Sequence, residues 1–550
     1  MAQRNLALQE RVSYVVSVTK HADDDPNDLD GYKGERATPL DLEDGALREG
    51  GALNYTSPAV LVLLFQYAVV GICLGGISGI KLPVLTNYFG MESAAINSAT
   101  GLMSLGWSFK VVYGMLSDCF PIMGYSRKPY ILLGYTLTSL CFIVIALKPA
   151  GDAVGANSSP DDVKATQSHG SLLALLCAVA CFCYIMADVA CDAMVVEYAQ
   201  REPDNVRGRL QSSAYATRYI FNALITAVSG FLLNSKRYGG TFSFEISVNA
   251  FFWVLAVPCV LNVLLVFRFM KDRKRRAIRF ATYFAEVFQL IQQRAVLQMM
   301  GFNFMFNLFS SGITSLAGSY IQVYWAHVEP VNSSIATVLT YLLFSATLFA
   351  VGKWGTNWNW RFILIITTLS ASAIDAIAQF LTIYNIVRSQ WFYLGIPLTE
   401  YIPIGLQFVV GTFVIVELAG DGNEGLTYGL LTTVSNLPSV FGTMVTNVYS
   451  TQLKVAKADI KTDTPDVRND AAYSYLIVYA TTVIACCWTL ILPPQKAAVK
   501  ELLRNGGRYP MAGAFMVTAI FVVLCISVTS ILLSMFESTS CYLLAGGSGC

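Results

Sequence analysis

The sequence is short of charge. Only 13% of its 550 residues are Asp, Glu, Lys or Arg, against 55% hydrophobic. A water-soluble domain carries roughly a quarter of its residues charged, so lipid must replace water over much of this surface. Histidine is scarcer still. The three present, His21, His169 and His327, have no spacing that resembles a zinc site. HExxH, a GxSxG elbow, a Walker loop and a histidine cluster are all missing, which speaks against a metalloprotease, a serine hydrolase and an ATP-driven pump. No repeated pore or filter motif marks a channel, and a receptor without transport stays open as an alternative. The formal net charge of +1 gives no pull towards nucleic acid. No cofactor or metal is implied. The N-terminal stretch lacks the apolar core of a signal peptide and contains an acidic run, Asp23-Asp24-Asp25. It reads as a disordered cytosolic tail over 1–54.

What is abundant is apolar sequence in long runs. A helix crossing a bilayer needs about 20 mostly apolar residues. Windows of that kind fall near 59–80, 93–116, 130–148, 171–195, 211–233 and 247–269. After a break they resume near 299–323, 332–352, 361–384, 391–418, 427–450 and 473–492, with one more near 511–535. The chain therefore divides into a six-helix bundle over 55–270, a basic linker over 271–298, a second bundle over 299–495, and a C-terminal section over 496–550 with an extra span. Basic residues cluster after even-numbered spans: Arg127 and Lys128, Arg201, Arg207 and Arg209, then Lys271 to Arg276. That bias predicts a cytoplasmic N-terminus. A sequon at Asn157 lies on the predicted outer face. Apolar residues at helical spacing in 277–295 predict an amphipathic helix on the inner leaflet. Most of the 13 cysteines, Cys73, Cys181 and Cys191 among them, sit in apolar runs as small packing residues. Cys541 and Cys550 are the pair placed to form an external disulfide. Gly71, Gly75 and Gly79 recur every four residues and predict close helix packing.

Two bundles joined by a basic linker form the layout of a two-domain carrier with its cavity between the halves. Between the second and third spans, Gly114 and Asp118 are followed by Gly124, Arg127 and Lys128. This pattern resembles the loop signature of the major facilitator superfamily. Asp118 could cap the N-terminus of the eleventh span near Gly425, and Arg127 or Lys128 could pair with Glu197, together making a gate latch. GWSFKVVYGMLSDCFPIMGYSRKPY, ADVACDAMVVEYA (187–199) and GLLTTVSNLPSVFG (429–442) narrow the likeness. Over roughly 55–495 the chain resembles the folate–biopterin transporter family. The resemblance implies an all-α, polytopic membrane protein with the major-facilitator fold, carrying a folate or pterin through a bilayer; the plasma membrane is the expected setting, with an organelle membrane as the alternative. Some relatives are thought to carry other metabolites such as S-adenosylmethionine.

Ionisable residues inside the spans narrow the candidates, because each costs roughly 2.5–3.5 kcal/mol on insertion scales. Asp188 and Asp192 lie one turn apart on the fourth span and so share a face. Two such carboxylates resist joint ionisation, which suits proton coupling. Lys110 and Arg218 are the cations available to them, and Asn222 follows Arg218 by one turn. A buried ion pair and a direct transport role are both open. For an anionic cargo, Arg218 is the best bidentate anchor and Lys110 the second. A carboxylate could read a pterin edge, with Trp107 or Tyr184 stacking on the ring. Glu400, between Pro397 and Pro403, is the second-half candidate for coupling, where prolines should break the helix. Asp375, Asn303, Asn307 and Asn436 are the remaining polar candidates there.

Overall fold

A computed structural model describes residues 54–545, apart from 156–158, 200–208, 275–276, 355–357, 396, 407–423 and 537. All regular structure among them is helical. The first bundle comprises Pro58–Gly79, the interrupted rod Ser93–Leu105, Gly106–Phe109 and Lys110–Cys119, then Lys128–Leu147, Pro160–Ala199, Arg209–Leu232 and Val248–Phe269. The second opens with Arg294–Asn307 and its continuation, followed by Pro330–Trp354 and Trp360–Ile383. Its tenth segment is in pieces: Gln390–Gly395, Pro397–Glu400 and a helical stretch at 401–406. Glu424–Ser450 and Pro465–Trp488 complete it, and Pro510–Met535 forms the thirteenth helix. Among the described residues, seven helices are long and apolar enough to cross a membrane, the thirteenth included.

Local chemistry explains where these rods start and break. Proline occupies the first turn of the helices beginning at Pro58, Lys128, Pro465 and Pro510, where its missing N–H costs nothing. Asn359 and Thr464 cap their helices by accepting from backbone N–H groups within the first turn. The first segment does not end at Gly79 but continues as a π-helix, Lys81–Tyr88. The tenth breaks around Pro397 as expected. The seventh breaks without proline: Leu308–Gly312 is a π-turn, and Ile313 is extended before Ala317–Tyr320 resumes. A backbone crossing accounts for it. A Cβ on Gly442 would lie 2.1 Å from the Gly312 carbonyl oxygen, so only glycine lets the seventh and eleventh segments touch.

One continuous hydrophobic cluster fills the first bundle. Gly71 and Gly75 allow the first segment to lie directly on the fifth, since a Cβ at Gly71 would meet the Arg218 carbonyl oxygen at 2.3 Å. The second bundle has a divided core. One cluster gathers around Met299, Trp360 and Leu431, another around Tyr320, Trp325 and Tyr475. Beside the second of these, with Tyr393 and Tyr475 in its wall, lies a cavity of about 540 Å³.

The halves touch along the second and eleventh segments, where the Val111 N–H donates to Thr433 at 3.3 Å, and they are bonded most densely at the end opposite the basic loops. There Tyr320 donates to Glu92 at 2.8 Å, Asn97 to Asn447 at 3.1 Å and Asn447 to Ser98 at 2.8 Å. Thr241 donates to Glu329, and the Val331 N–H to Asn234, each at 3.1 Å. The thirteenth helix lies along the same seam. Its Ser534 donates to Ser98 of the second segment, and Ile531 packs beside Gly101. Cys541 beyond it is disulfide-bonded, whereas Cys550, Asn157 and the acidic N-terminal stretch lie outside the described residues.

Candidate functional site

The four ionisable residues of the first-half spans converge. Arg218 of the fifth segment donates to Asp188 Oδ1 on the fourth. Lys110 Nζ stands 3.3 Å from Asp192 Oδ2 and 3.6 Å from Asp188 Oδ2. Tyr67 of the first segment donates to Asp192 Oδ1 at 2.5 Å. Aromatic faces close the cluster. The Arg218 guanidinium lies 5.0 Å from the Tyr67 ring, 5.1 Å from Tyr215 and 5.8 Å from Trp107, and Lys110 lies 4.9 Å from Trp107. Tyr184 is fully buried, with its ring edge-on to Trp107.

Two acids and two bases thus cancel inside low-dielectric packing, the condition under which buried charge is tolerated. The members differ in access. Asp188 is wholly buried and Arg218 nearly so, whereas the Asp192 side chain keeps 22% of its surface free. Arg218 Nε and Asp188 Oδ2 have no hydrogen-bond partner, so the pairing is incomplete. A cargo carboxylate arriving here would have to displace a resident one. Asn222, one turn beyond Arg218, is buried against Gly75, and its amide nitrogen makes no hydrogen bond.

At the basic end, Arg127 pairs with Asp118 at 2.8 Å and donates to Ser117 at 2.6 Å. Lys128 is held elsewhere, donating to the carbonyls of Phe267 and Met270 at the C-terminus of the sixth segment. Asp272 accepts from the backbone N–H groups of Arg127 and Lys128, capping the third segment from outside its own sequence. The linker helix Phe280–Ile291 lays Tyr283 over Gly114, and burial pushes that hydroxyl up to about 12, with Asp118 adding to the effect. The Asp118 carbonyl accepts from Ile278 N–H. The side chains of Glu197, of Glu400 and of the first residues of the eleventh segment lie outside what is described. Glu400 itself falls on the 3-10 turn Pro397–Glu400.

The second half adds a site that spacing alone does not reveal. Asp375 on the ninth segment lines the 540 Å³ cavity and accepts from Gln379 at 3.0 Å and from Tyr479 at 2.8 Å. Asn307 and Asn436 instead donate to backbone carbonyls of Ser435 and Trp107, joining helices.

The sequence pattern of the BT1 family matches residues 71–507. The chain belongs to the BT1 family. The folate-biopterin transporter of Synechocystis sp. is 22% identical over 459 residues, covering 82% of this chain and 84% of that protein. Folate transporter 1 of Plasmodium falciparum is 27% identical over 150 residues, 27% of this chain and 26% of that one. Among solved structures, the D-xylose-proton symporter superimposes with a TM-score of 0.56 at 14% identity, covering 80% of this chain and 98% of that one. A bacterial homologue of the human lysosomal transporter Spinster, inward-facing and unoccupied, gives 0.53 at 14%, covering 84% and 99%. These likenesses establish the major-facilitator fold for this BT1 member.

Proposed function

We propose that this protein is a secondary carrier of folate or pterin compounds that works by alternating access. The observation that carries the reading is a cavity of about 540 Å³, with Asp375, Gln379 and several hydroxyls in its wall, inside a two-bundle membrane fold whose halves are hydrogen-bonded to each other at the end opposite the basic loops. A carrier working by alternating access must open and close such a seam. The names of the BT1 relatives supply the cargo class. The distribution of basic loops favours an N-terminus in the cytosol, and the plasma membrane is the setting proposed.

In this scheme the four-charge cluster couples transport to protons. Asp192 is its accessible acid, held by Tyr67 and Lys110. A proton on Asp192 would leave Lys110 to Asp188, which already serves Arg218, and so rearrange contacts between the first, second, fourth and fifth segments. Glu400 on the broken tenth segment is the coupling candidate of the other half. Arg127 and Asp118, with Gly114 under Tyr283, form the latch at the basic end. Arg218 and Lys110 would reach a cargo anion only in a state where these pairs open.

Uptake into liposomes by the purified protein tests the reading. Saturable accumulation of folate or biopterin, increased by an imposed proton gradient, is expected, and Asp192→Asn should remove the gradient's effect. Binding without accumulation under any gradient would sink the carrier assignment.

A further inference from the structure

Resting on the carrier reading above, we infer that the cargo occupies the second-half cavity. Asp375 and Gln379 would read its N–H edge there, and Lys81 of the first half would take its carboxylate.

The cavity lies within the range usual for small-molecule sites, roughly 300–1,000 Å³. Its polar wall is built. Asp375 is fixed from two sides by Gln379 and Tyr479, which orients its carboxylate. Gln379 is 5% exposed, and its Oε1 is a buried acceptor with no donor. A buried acceptor is left unmatched at a cost unless something else supplies the hydrogen. Here an amide oxygen and a carboxylate stand one helical turn apart, both able to accept. Their natural complement is a heterocycle with adjacent ring N–H and amino donors. Tyr393, Tyr401, Tyr475 and Tyr479 line the same space and offer faces or edges to a flat ring.

A second cavity, about 180 Å³, adjoins the first, and Gln322, Ser333 and Thr337 belong to the walls of both. Gln322 donates to Ser333 at 3.4 Å along this shared wall. Across the smaller cavity stands Lys81, the first residue of the π-helix that extends the first segment. Its side chain is exposed and forms part of the wall of this cavity. Among the described residues, no acid and no acceptor pairs with its ammonium. The cations of the first-half cluster are neutralised by their neighbours, whereas this one faces space. An unpaired ammonium on a cavity wall is placed to attract an anion that enters the cavity. π-Helical turns of this kind recur at functional sites because they re-aim a side chain.

Acceptors at one end, tyrosines along the length and a cation beyond the shared wall together describe a flat donor-edged ring bearing an acidic tail. Folate has both parts, and biopterin has only the ring. The site therefore separates them: both would use Asp375 and Gln379, and only folate would use Lys81.

Liposome uptake of folate and of biopterin, measured in parallel, tests this. Lys81→Gln should raise the half-saturating folate concentration at least tenfold while leaving biopterin uptake unchanged, and Lys81→Arg should restore folate. Gln379→Leu should weaken both compounds. Elution profile and thermal unfolding of each variant identify any that fail to fold, and Lys81→Arg reports on the charge independently. Equal loss of folate and biopterin in Lys81→Gln, or unchanged folate uptake, overturns the inference with the carrier reading intact. If the unaltered protein moves neither compound, the carrier reading fails first.

Discussion

At the scale of single residues, the first-half cluster shows how a chain keeps four charges in apolar packing. Asp188 is wholly buried and receives Arg218, and the guanidinium is further enclosed by three aromatic rings. Removing one partner of a buried pair typically costs about 3–5 kcal/mol, because the other charge is stranded, whereas replacing both is often nearly neutral. Asp188→Asn alone should therefore lower the thermal unfolding temperature in detergent sharply. Asp188→Asn combined with Arg218→Gln should recover most of that loss. Equal destabilisation by the single and double variants would show that the pair is not what holds these helices. The cluster was legible in the sequence because a charge inside an apolar run stands out, and Lys110, Asp188, Asp192 and Arg218 do converge. Lys81 was not. It falls just past the end of the first apolar window, where a lysine reads as an interfacial residue, and only the folded arrangement shows that it lines a cavity.

At the scale of elements, the broken helices separate what local chemistry encodes from what only contact creates. Proline announced the interruption at Pro397. The interruption at Leu308–Gly312 has no such marker, because it arises where Gly312 meets Gly442 on a segment more than a hundred residues later. The cavity was hidden for a related reason. Thr337 and Thr340 on its wall bond the carbonyls four residues before them, so in sequence they look like ordinary hydroxyls within a helix. A clamp outside the spans was likewise unannounced. Asp463, in the left-handed conformation at the end of Lys457–Thr462, takes two hydrogen bonds from Arg388 and two from Arg468. It thereby ties the loop after the ninth segment to the start of the twelfth. Those guanidinium bonds hold the Asp463 carboxyl well below the usual carboxylate range. Because the folded-state value is depressed, the clamp's contribution is complete above about pH 4 and is lost as pH falls further. The stability gap between the unaltered protein and Asp463→Asn should thus be constant from pH 7 to pH 5 and shrink towards pH 3. A gap that widens on acidification would contradict the assigned sign.

At the scale of the whole molecule, the two bundles are packed unequally. The first has an undivided core, while the second has a divided core and a cavity in its wall, so a rocking motion would be taken up by the less fully packed second half. The thirteenth helix complicates that motion. It leans on the second segment through Ser534 and Ile531 and packs against the eleventh, so it lies across the seam that must part. At that seam Asn97 and Asn447 face each other across the halves, 3.1 Å between their amide atoms. Replacing both with cysteine and joining them with a short thiol-reactive linker would tether the halves in the arrangement seen here. If cargo crosses by rocking, uptake should fall to background in the linked protein and return when a cleavable linker is cut. The same reagent on the unaltered protein controls for the native thiols. The linked protein should also hold the cavity open to one side only, so folate binding in detergent should survive while uptake does not. Uptake that persists with the seam tethered would mean that the two bundles do not need to separate there, and that the route through this protein is a fixed one.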